Sequence, residues 1–185
     1  MGHKAVFIDR DGTINQNIGY IDHPDDFHMY PGVVEGIKLL KKYGYKIIVV
    51  TNQSGIGRGY FVKEHLDEIH HKMNNEFSDN GTAVDAIYFC PHHPDENCSC
   101  RKPKTGLFEQ AVEDLDINIE ESFIIGDRML DMEAGDKIGC TTVLVPEDKE
   151  KIDIEMEESP VKPDCVCDDF LSGVMWILHH DASRE

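Results

Sequence analysis

Four short runs of nearly continuous apolar residues set the strongest limit on how this chain can fold. They are AVFIDR (5–10), KIIVVT (46–51), SFIIGD (122–127) and TTVLV (141–145), with a weaker fifth run, AIYFC (86–90). Strands that are apolar on both faces are typical of parallel sheets covered by helices on both sides, whereas half-exposed strands alternate. The runs therefore predict buried, parallel strands.

Segments with helical spacing of apolar residues lie between these runs. They are residues 32–44, 62–81, 105–116 and 131–139. Strand and helix alternate, which predicts an α/β fold with a Rossmann-like, mostly parallel sheet flanked by helices. The acidic stretch 146–164 is expected to be a solvated excursion before a last strand and helix.

The chain has 185 residues, which fits a single domain spanning 1–185. Neither the segment from Thr13 to the second strand nor the segment from that strand to Lys102 has room for a folded cap domain. The catalytic edge of the sheet is therefore expected to be open, with loops selecting the substrate.

Charge and hydropathy exclude several classes of function. The formal charge of −18 argues against a nucleic-acid partner, because few cations are available to neutralise phosphates. It leaves room for a small phosphorylated substrate held by a few local cations. No apolar run has the length of a membrane span or a signal peptide. We therefore expect a cytoplasmic protein with no membrane partner, and nothing in the sequence demands more than a monomer.

Asp9 and Asp11 follow the first predicted strand and precede Gly12. One interpretation is an ordinary turn, because Asp-Gly is a common turn signal. The other is a catalytic pair, because residues two apart on a strand point to the same face. Phosphoryl transfer needs one carboxylate to attack phosphorus and a second to move protons.

Two anions facing a phosphate also need positive charge near them. Asp127 and Asp131 in GDRMLD are suited to binding Mg²⁺ through oxygen, and TNQSG (51–55) offers a hydroxyl and backbone N–H groups. The segment CRKPKTG (100–106) supplies Arg101, Lys102 and Lys104. Spacing alone does not choose between the two lysines.

The motifs DRDGT, TN, RKP and GDRMLD occur in this order over residues 9–131, and together they resemble the haloacid dehalogenase (HAD) superfamily of phosphohydrolases. The resemblance implies Asp9 as nucleophile, Asp11 as general acid/base, Thr51 as the phosphate-binding hydroxyl and Lys102 as the charge-neutralising lysine. It also implies Mg²⁺ bound by Asp9, the backbone carbonyl of Asp11, and Asp127. Asp131 is expected to support these ligands without binding the ion directly, or to contribute more weakly to the site.

A second cluster, CPHHPDENCSC (90–100), carries soft metal ligands. Cys90, His92, Cys98 and Cys100 form two Cys-x-[Cys/His] pairs around a short polar loop. Four such ligands complete the tetrahedron of a structural Zn²⁺ site. His93 is the alternative imidazole, and plain reduced thiols are the alternative to a site. A metal here would fix the backbone just before Arg101 and Lys102.

Within the superfamily, the cysteine cluster is similar to two groups of phosphatases, one acting on heptose 1,7-bisphosphate and one on histidinol phosphate. The segments GYI (19–21), TNQSGIGRGYF (51–61) and CPHHP (90–94) resemble the heptose group, whereas the short loop HPDEN, GDR and RKPK resemble the histidinol group. Another small sugar phosphate is the third option. The heptose resemblance implies substrate contacts by Asn17, Ile18, Gly19, Tyr20, Thr51, Asn52, Gln53, Ser54, Arg101 and Lys102, and Arg58 is a candidate for a second phosphate.

Overall fold

The structure, a computed structural model, describes residues 2–184. Its strands are β1 (Ala5–Ile8), β2 (Lys46–Asn52), β3 (Ala86–Cys90), β4 (Phe123–Gly126), β5 (Thr141–Leu144) and β6 (Cys165–Val166). They form one sheet in the order β3-β2-β1-β4-β5-β6, and every neighbouring pair is parallel. Each of the five predicted runs overlaps one of these strands, and the predicted fold class is confirmed.

The helices are α1 (Val33–Lys42), α2 (Ser54–Gly57), α3 (Lys63–Asp79), α4 (Gly106–Leu115), α5 (Met129–Ile138), α6 (Lys149–Glu158) and α7 (Phe170–Ala182). Short 3-10 turns lie at Pro24–Asp26, Pro94–Glu96 and Ile119–Glu121. The connection from β1 to β2 holds one 3-10 turn and α1, and the next holds α2 and α3. Neither connection contains a separate cap domain.

The prediction of a solvated excursion over 146–164 is wrong in part. The segment forms α6, which begins after Asp148, whose side chain accepts a hydrogen bond from the Lys151 N–H. Ile152 is buried at 4% exposure. The pattern gave little sign of a helix because Ile152 is its buried apolar residue and acids cover most of the remaining surface.

Helices cover both faces of the sheet, and alternate strand residues point to opposite sides. Val6 and Ile8 of β1 pack in a core with residues of α1, α3 and α7. Ala5 and Phe7 pack in a second core with residues of α4, α5 and α6. This double cover explains why the strands are apolar throughout. Within residues 2–184, each helix is too short or too polar to traverse a bilayer.

Candidate active site

Three of the predicted site residues leave the sheet at the same edge. Asp9 follows β1, Thr51 lies near the end of β2, and Asp127 follows β4. Because the strands are parallel, their carboxyl ends meet in the crevice where ligands bind in such sheets. A cavity of about 170 Å³ opens there and is lined by Asp9, Asp11, Asn17, Gly19, Tyr20, Thr51, Asn52, Gln53, Ser54, Arg101, Lys102, Asp127, Arg128 and Leu130.

The ammonium group of Lys102 lies between two carboxylates. Its Nζ is 2.8 Å from Oδ1 of Asp9 and 2.7 Å from Oδ1 of Asp131, and it donates a hydrogen bond to the Val50 carbonyl oxygen at 2.7 Å. Burial acts to lower the pKa of Lys102, but Asp131 and Asp9 raise it above its ordinary value. The amine therefore stays charged inside the protein.

The structure shows which of the two candidate lysines lies at the site, a choice that spacing alone did not make. Lys102 lines the cavity, whereas Nζ of Lys104 donates to the carbonyl oxygens of Asn97 and Cys98 in the cysteine loop. The side chain of Asn52 pairs with the backbone of Lys102, donating to its carbonyl oxygen at 3.2 Å and accepting from its N–H at 3.0 Å. The end of β2 thus fixes the position of Lys102.

Three carboxylates form a cluster beside this lysine. Carboxylate oxygens of Asp9, Asp127 and Asp131 all lie within 4.8 Å of one another. Burial, with the charges of Asp9 and Asp131, raises the pKa of Asp127 to about 9. Burial also raises the pKa of Asp131 to about 6, although Lys102 opposes that shift. The cluster is short of positive charge, and its hard oxygen donors suit a divalent cation such as Mg²⁺.

The turn after β1 brings Asp11 to the same cavity. The strand ends at Ile8, so the turn, rather than strand alternation, sets the direction of Asp11. Gly12 has a φ of +87°, a left-handed conformation that favours glycine. A Cβ at Gly12 would overlap the carboxylate of Asp127, so this glycine also lets the turn approach the acid cluster.

The carboxylate of Asp11 is held from several sides. Nη2 of Arg10 donates to both of its oxygens at 2.9 Å, Nδ2 of Asn15 donates at 3.0 Å, and Nε2 of Gln53 donates at 2.8 Å. Gln53 also donates to the Thr51 hydroxyl at 2.9 Å. These contacts fix the orientation of Asp11 relative to β2.

Arg10 holds Asp11 through its guanidinium, a contact that the sequence did not predict. Its side chain is fully buried, and its Nη1 lies 3.2 Å from Nε2 of His70 on α3. Burial and the neighbouring Arg10 lower the pKa of His70 to about 4, so the imidazole is neutral and accepts from the guanidinium. An arginine between two acids directly after a buried strand is the sequence feature that could have indicated this contact.

Cys90, His92, Cys98 and Cys100 come together beside the cavity. The sulfur atoms of the three cysteines are 3.2 to 3.5 Å apart, and Nδ1 of His92 lies 3.1 Å from the sulfur of Cys100. These separations resemble the edges of a small tetrahedron, which suits four ligands around one metal ion. His93 instead accepts a hydrogen bond from the Asp95 N–H in the turn at Pro94–Glu96.

The remaining predicted substrate residues are divided between the cavity and the surface. Asn17, Gly19 and Tyr20 line the cavity, and the Tyr20 ring packs edge to face on Tyr60 at 4.9 Å. Ile18 is 56% exposed, and Arg58 lies at the exposed end of α2. Neither of these two lines the cavity.

Arg128 lines the cavity but was not predicted. Its Nε donates to Glu155 of α6 at 2.5 Å, and Glu155 also accepts from the Met129 N–H at 3.1 Å. The acidic segment therefore supports the start of α5, a contact between residues too far apart in the sequence for spacing to reveal.

Comparison with known proteins gives similarity over nearly the whole chain. A family model described as HAD-hydrolase-like matches residues 99–172. A D-glycero-beta-D-manno-heptose-1,7-bisphosphate 7-phosphatase from Haemophilus ducreyi is 39% identical over 184 residues, which cover 96% of this chain and 100% of that protein. A protein of the same name from Photorhabdus laumondii is 46% identical over 153 residues, covering 78% of this chain and 81% of that protein.

A solved structure shares the fold. The crystal structure of D,D-heptose 1,7-bisphosphate phosphatase from B. bronchiseptica, complexed with magnesium and phosphate, matches with a TM-score of 0.86 and 30% sequence identity. The match covers 96% of this chain and 99% of that chain.

Proposed function

The chain belongs to the HAD superfamily of hydrolases, in the family of the D-glycero-D-manno-heptose-1,7-bisphosphate 7-phosphatases, and from this premise we propose that it removes the 7-phosphate of D-glycero-D-manno-heptose 1,7-bisphosphate. It is a phosphoric monoester hydrolase. The observation that carries the substrate assignment is the likeness to the Haemophilus ducreyi protein over 96% of this chain.

The geometry supports a two-step hydrolysis. Asp9 attacks phosphorus, and the bond from phosphorus to the sugar oxygen breaks as an aspartyl-phosphate forms. Asp11 donates a proton to that sugar oxygen, which leaves as the alcohol. Asp11 then takes a proton from the water that attacks the aspartyl-phosphate, releasing inorganic phosphate and restoring Asp9. The observation that supports this chemistry is the placement of both carboxylates at one cavity.

The cations and donors around Asp9 stabilise the transferring group. Lys102, 2.8 Å from Asp9, neutralises charge that builds on the phosphoryl oxygens. The Thr51 hydroxyl is oriented by Gln53 and offers a hydrogen bond to one of those oxygens. Arg101 lines the cavity and carries a buried Nη1 that has no hydrogen-bond partner among residues 2–184, so its guanidinium has a donor available for the substrate.

We propose that Mg²⁺ is held by Asp9, Asp127 and the backbone carbonyl of Asp11, with Asp131 behind them. The residues fit this ion because three hard carboxylates converge within 4.8 Å, and the single positive charge of Lys102 is too small to neutralise all three. The bound ion supplies charge neutralisation between the acids and the phosphate. The magnesium in the B. bronchiseptica structure supports this proposal.

We propose a structural Zn²⁺ for the cysteine loop, with Cys90, His92, Cys98 and Cys100 as ligands. Four protein ligands leave no open position, so the ion orders the loop rather than taking part in hydrolysis. Because Arg101 follows Cys100 directly, this loop fixes the backbone that carries Arg101 and Lys102. We further propose that the enzyme acts as a cytoplasmic monomer.

A substrate panel tests the proposed function. Phosphate release from both anomers of the heptose bisphosphate, histidinol phosphate and fructose 1,6-bisphosphate is measured with and without Mg²⁺. We expect Mg²⁺-dependent release with the highest kcat/KM for a heptose bisphosphate. Asp9→Asn should reduce release by at least about a thousandfold, because the covalent step is lost. A clear preference for histidinol phosphate would overturn the substrate assignment.

A further inference from the structure

Glu147 lies beside the proposed substrate loop, which comprises Asn17 to Tyr20. We propose that Glu147 is a positioning residue that holds this loop over the catalytic cavity and thereby sets the affinity for the sugar bisphosphate. The inference rests on the proposed function, because it concerns the part of the substrate beyond the transferred phosphate.

Glu147 contacts both the loop and Tyr30. It follows Pro146, after β5, and its Oε1 accepts a hydrogen bond from the Asn17 backbone N–H at 2.9 Å. The same oxygen accepts from the Tyr30 hydroxyl. One carboxylate therefore connects the first residue of the loop with Tyr30 and with the segment after β5.

The base of the loop is closed by backbone hydrogen bonds. The Gln16 N–H donates to the His28 carbonyl at 3.0 Å, and the Tyr30 N–H donates to the Ile14 carbonyl at 2.9 Å. Glu147 contacts Asn17 just beyond this closed base, where the loop begins to line the cavity. The base alone fixes where the loop starts, and Glu147 adds a contact that fixes its direction.

Beyond the packing of the Tyr20 ring on Tyr60, the loop has little packing of its own. Ile18 and Tyr20 are 56% and 50% exposed, and the Gly19 N–H donates to the Asn17 side chain within the loop. A short exposed segment of this kind gains much of its order from tertiary contacts at its ends. The hydrogen bond from Asn17 to a charged acceptor is such a contact.

Glu147 acts through the loop rather than on the reacting atoms. Asn17, Gly19 and Tyr20 line the catalytic cavity, and Glu147 does not. Glu147 lies instead on an adjoining cavity of about 200 Å³, which Asn17, Asp127 and Arg128 also line. Loss of its carboxylate should therefore weaken substrate binding while leaving the acids and Lys102 in place.

The experiment compares Glu147→Ala, Glu147→Gln and the matched control Glu157→Ala, an exposed acid on α6. We expect Glu147→Ala to raise KM for the heptose bisphosphate roughly threefold to tenfold, the range expected when the solvent-exposed hydrogen bond to Asn17 is lost, with kcat within about twofold. Its kcat/KM for p-nitrophenyl phosphate, which is too small to need the loop, should be unchanged. Glu147→Gln keeps an acceptor oxygen and should lie within about twofold of the wild type.

Tyr30→Phe provides a second, coupled variant. It should raise KM in the same direction, and its effect should be smaller when Glu147 is already alanine, because both changes remove contacts of one carboxylate. An unchanged KM in Glu147→Ala would overturn the proposal. Equal losses of kcat/KM for both substrates would also overturn it, since they would show a general structural role.

Amide hydrogen exchange separates this inference from the proposed function. Peptides covering residues 15–22 should exchange faster in Glu147→Ala than in the wild type or in Glu157→Ala, at equal global stability. If the wild type does not hydrolyse the heptose bisphosphate, the proposed function fails, and exchange still tests whether Glu147 orders the loop. Equal exchange in all three proteins would overturn the positioning role.

Discussion

Asp127→Asn should stabilise the protein in magnesium-free buffer and remove its response to Mg²⁺. Asp127 is 5% exposed, and it shares its surroundings with the carboxylates of Asp9 and Asp131. Folding therefore forces this group to take up a proton or to meet a cation. Asparagine has nearly the same shape and carries no charge, so it avoids this cost.

The magnitude follows from the pKa of Asp127, which rises from 3.8 to about 9 on folding. At pH 7 the unfolded carboxyl is ionised, whereas the folded one binds a proton. Taking up this proton lowers the free energy of unfolding by about 1.4 kcal/mol for each pH unit above the unfolded pKa. The wild type therefore loses roughly 4 kcal/mol of stability at pH 7. Asparagine avoids this loss, but its buried amide needs hydrogen-bond partners of its own, which reduces the expected stabilisation to about 2–4 kcal/mol. This corresponds to a Tm higher by about 5–10 °C.

The sign of the pH dependence is fixed by the same shift. Below about pH 4 the carboxyl is protonated in both states, so Asp127→Asn brings no gain there. As pH rises toward 9, the folded wild type holds a proton that the unfolded chain has lost, and its stability falls. The difference between variant and wild type should therefore widen steadily over this range.

The assay is chemical unfolding at several pH values, with and without Mg²⁺, in buffer supplemented with Zn²⁺. Mg²⁺ should stabilise the wild type by mass action and leave Asp127→Asn unchanged. Asp153→Asn, which replaces an exposed acid on α6, is the matched control and should behave as the wild type. Equal stability of wild type and Asp127→Asn at pH 7 without Mg²⁺, or an equal response to Mg²⁺, would refute the reasoning.

Three further predictions concern other parts of the site. Asp11→Asn should slow both formation and breakdown of the phosphoenzyme by about 10²–10⁴-fold in rapid-quench kinetics, and an unchanged burst would contradict its role. Cys98→Ser should lower zinc content, measured by mass spectrometry, together with turnover; lost zinc with unchanged turnover would show that the loop does not support Lys102. Gly12→Ala, at a φ of +87°, should weaken Mg²⁺ binding because its Cβ would overlap Asp127. Gly59→Ala, at a φ of +72° in open space, should show backbone strain of about 1 kcal/mol without loss of Mg²⁺ affinity.

The sequence predicted the sheet well because each strand is buried on both faces. The run SFIIGD predicted a strand over 122–127, and β4 spans Phe123–Gly126. Once the strands were known to be parallel, their carboxyl ends had to share an edge, which is why Asp9 and Asp127 could be expected together.

The supporting contacts could not be predicted in the same way. His70 contacts Arg10 across 60 positions, and Glu147 contacts Asn17 across 130. Such pairs depend on how α3 and the segment after β5 pack against the sheet, and neither hydrophobic periodicity nor motif spacing contains that information. The acidic stretch looked like a solvated surface because Ile152 is the one buried residue of α6, and because Glu155 accepts hydrogen bonds from Arg128 and Met129, which are distant in the sequence.

The position of Lys102 between Asp9 and Asp131 has a consequence for how the metal ion and the substrate bind. Its single positive charge is committed to two acids before any substrate arrives, so a phosphate dianion approaching Asp9 meets net negative charge. A divalent cation at Asp127 offsets that negative charge. The cation and the phosphorylated sugar should therefore strengthen each other's binding by the same factor.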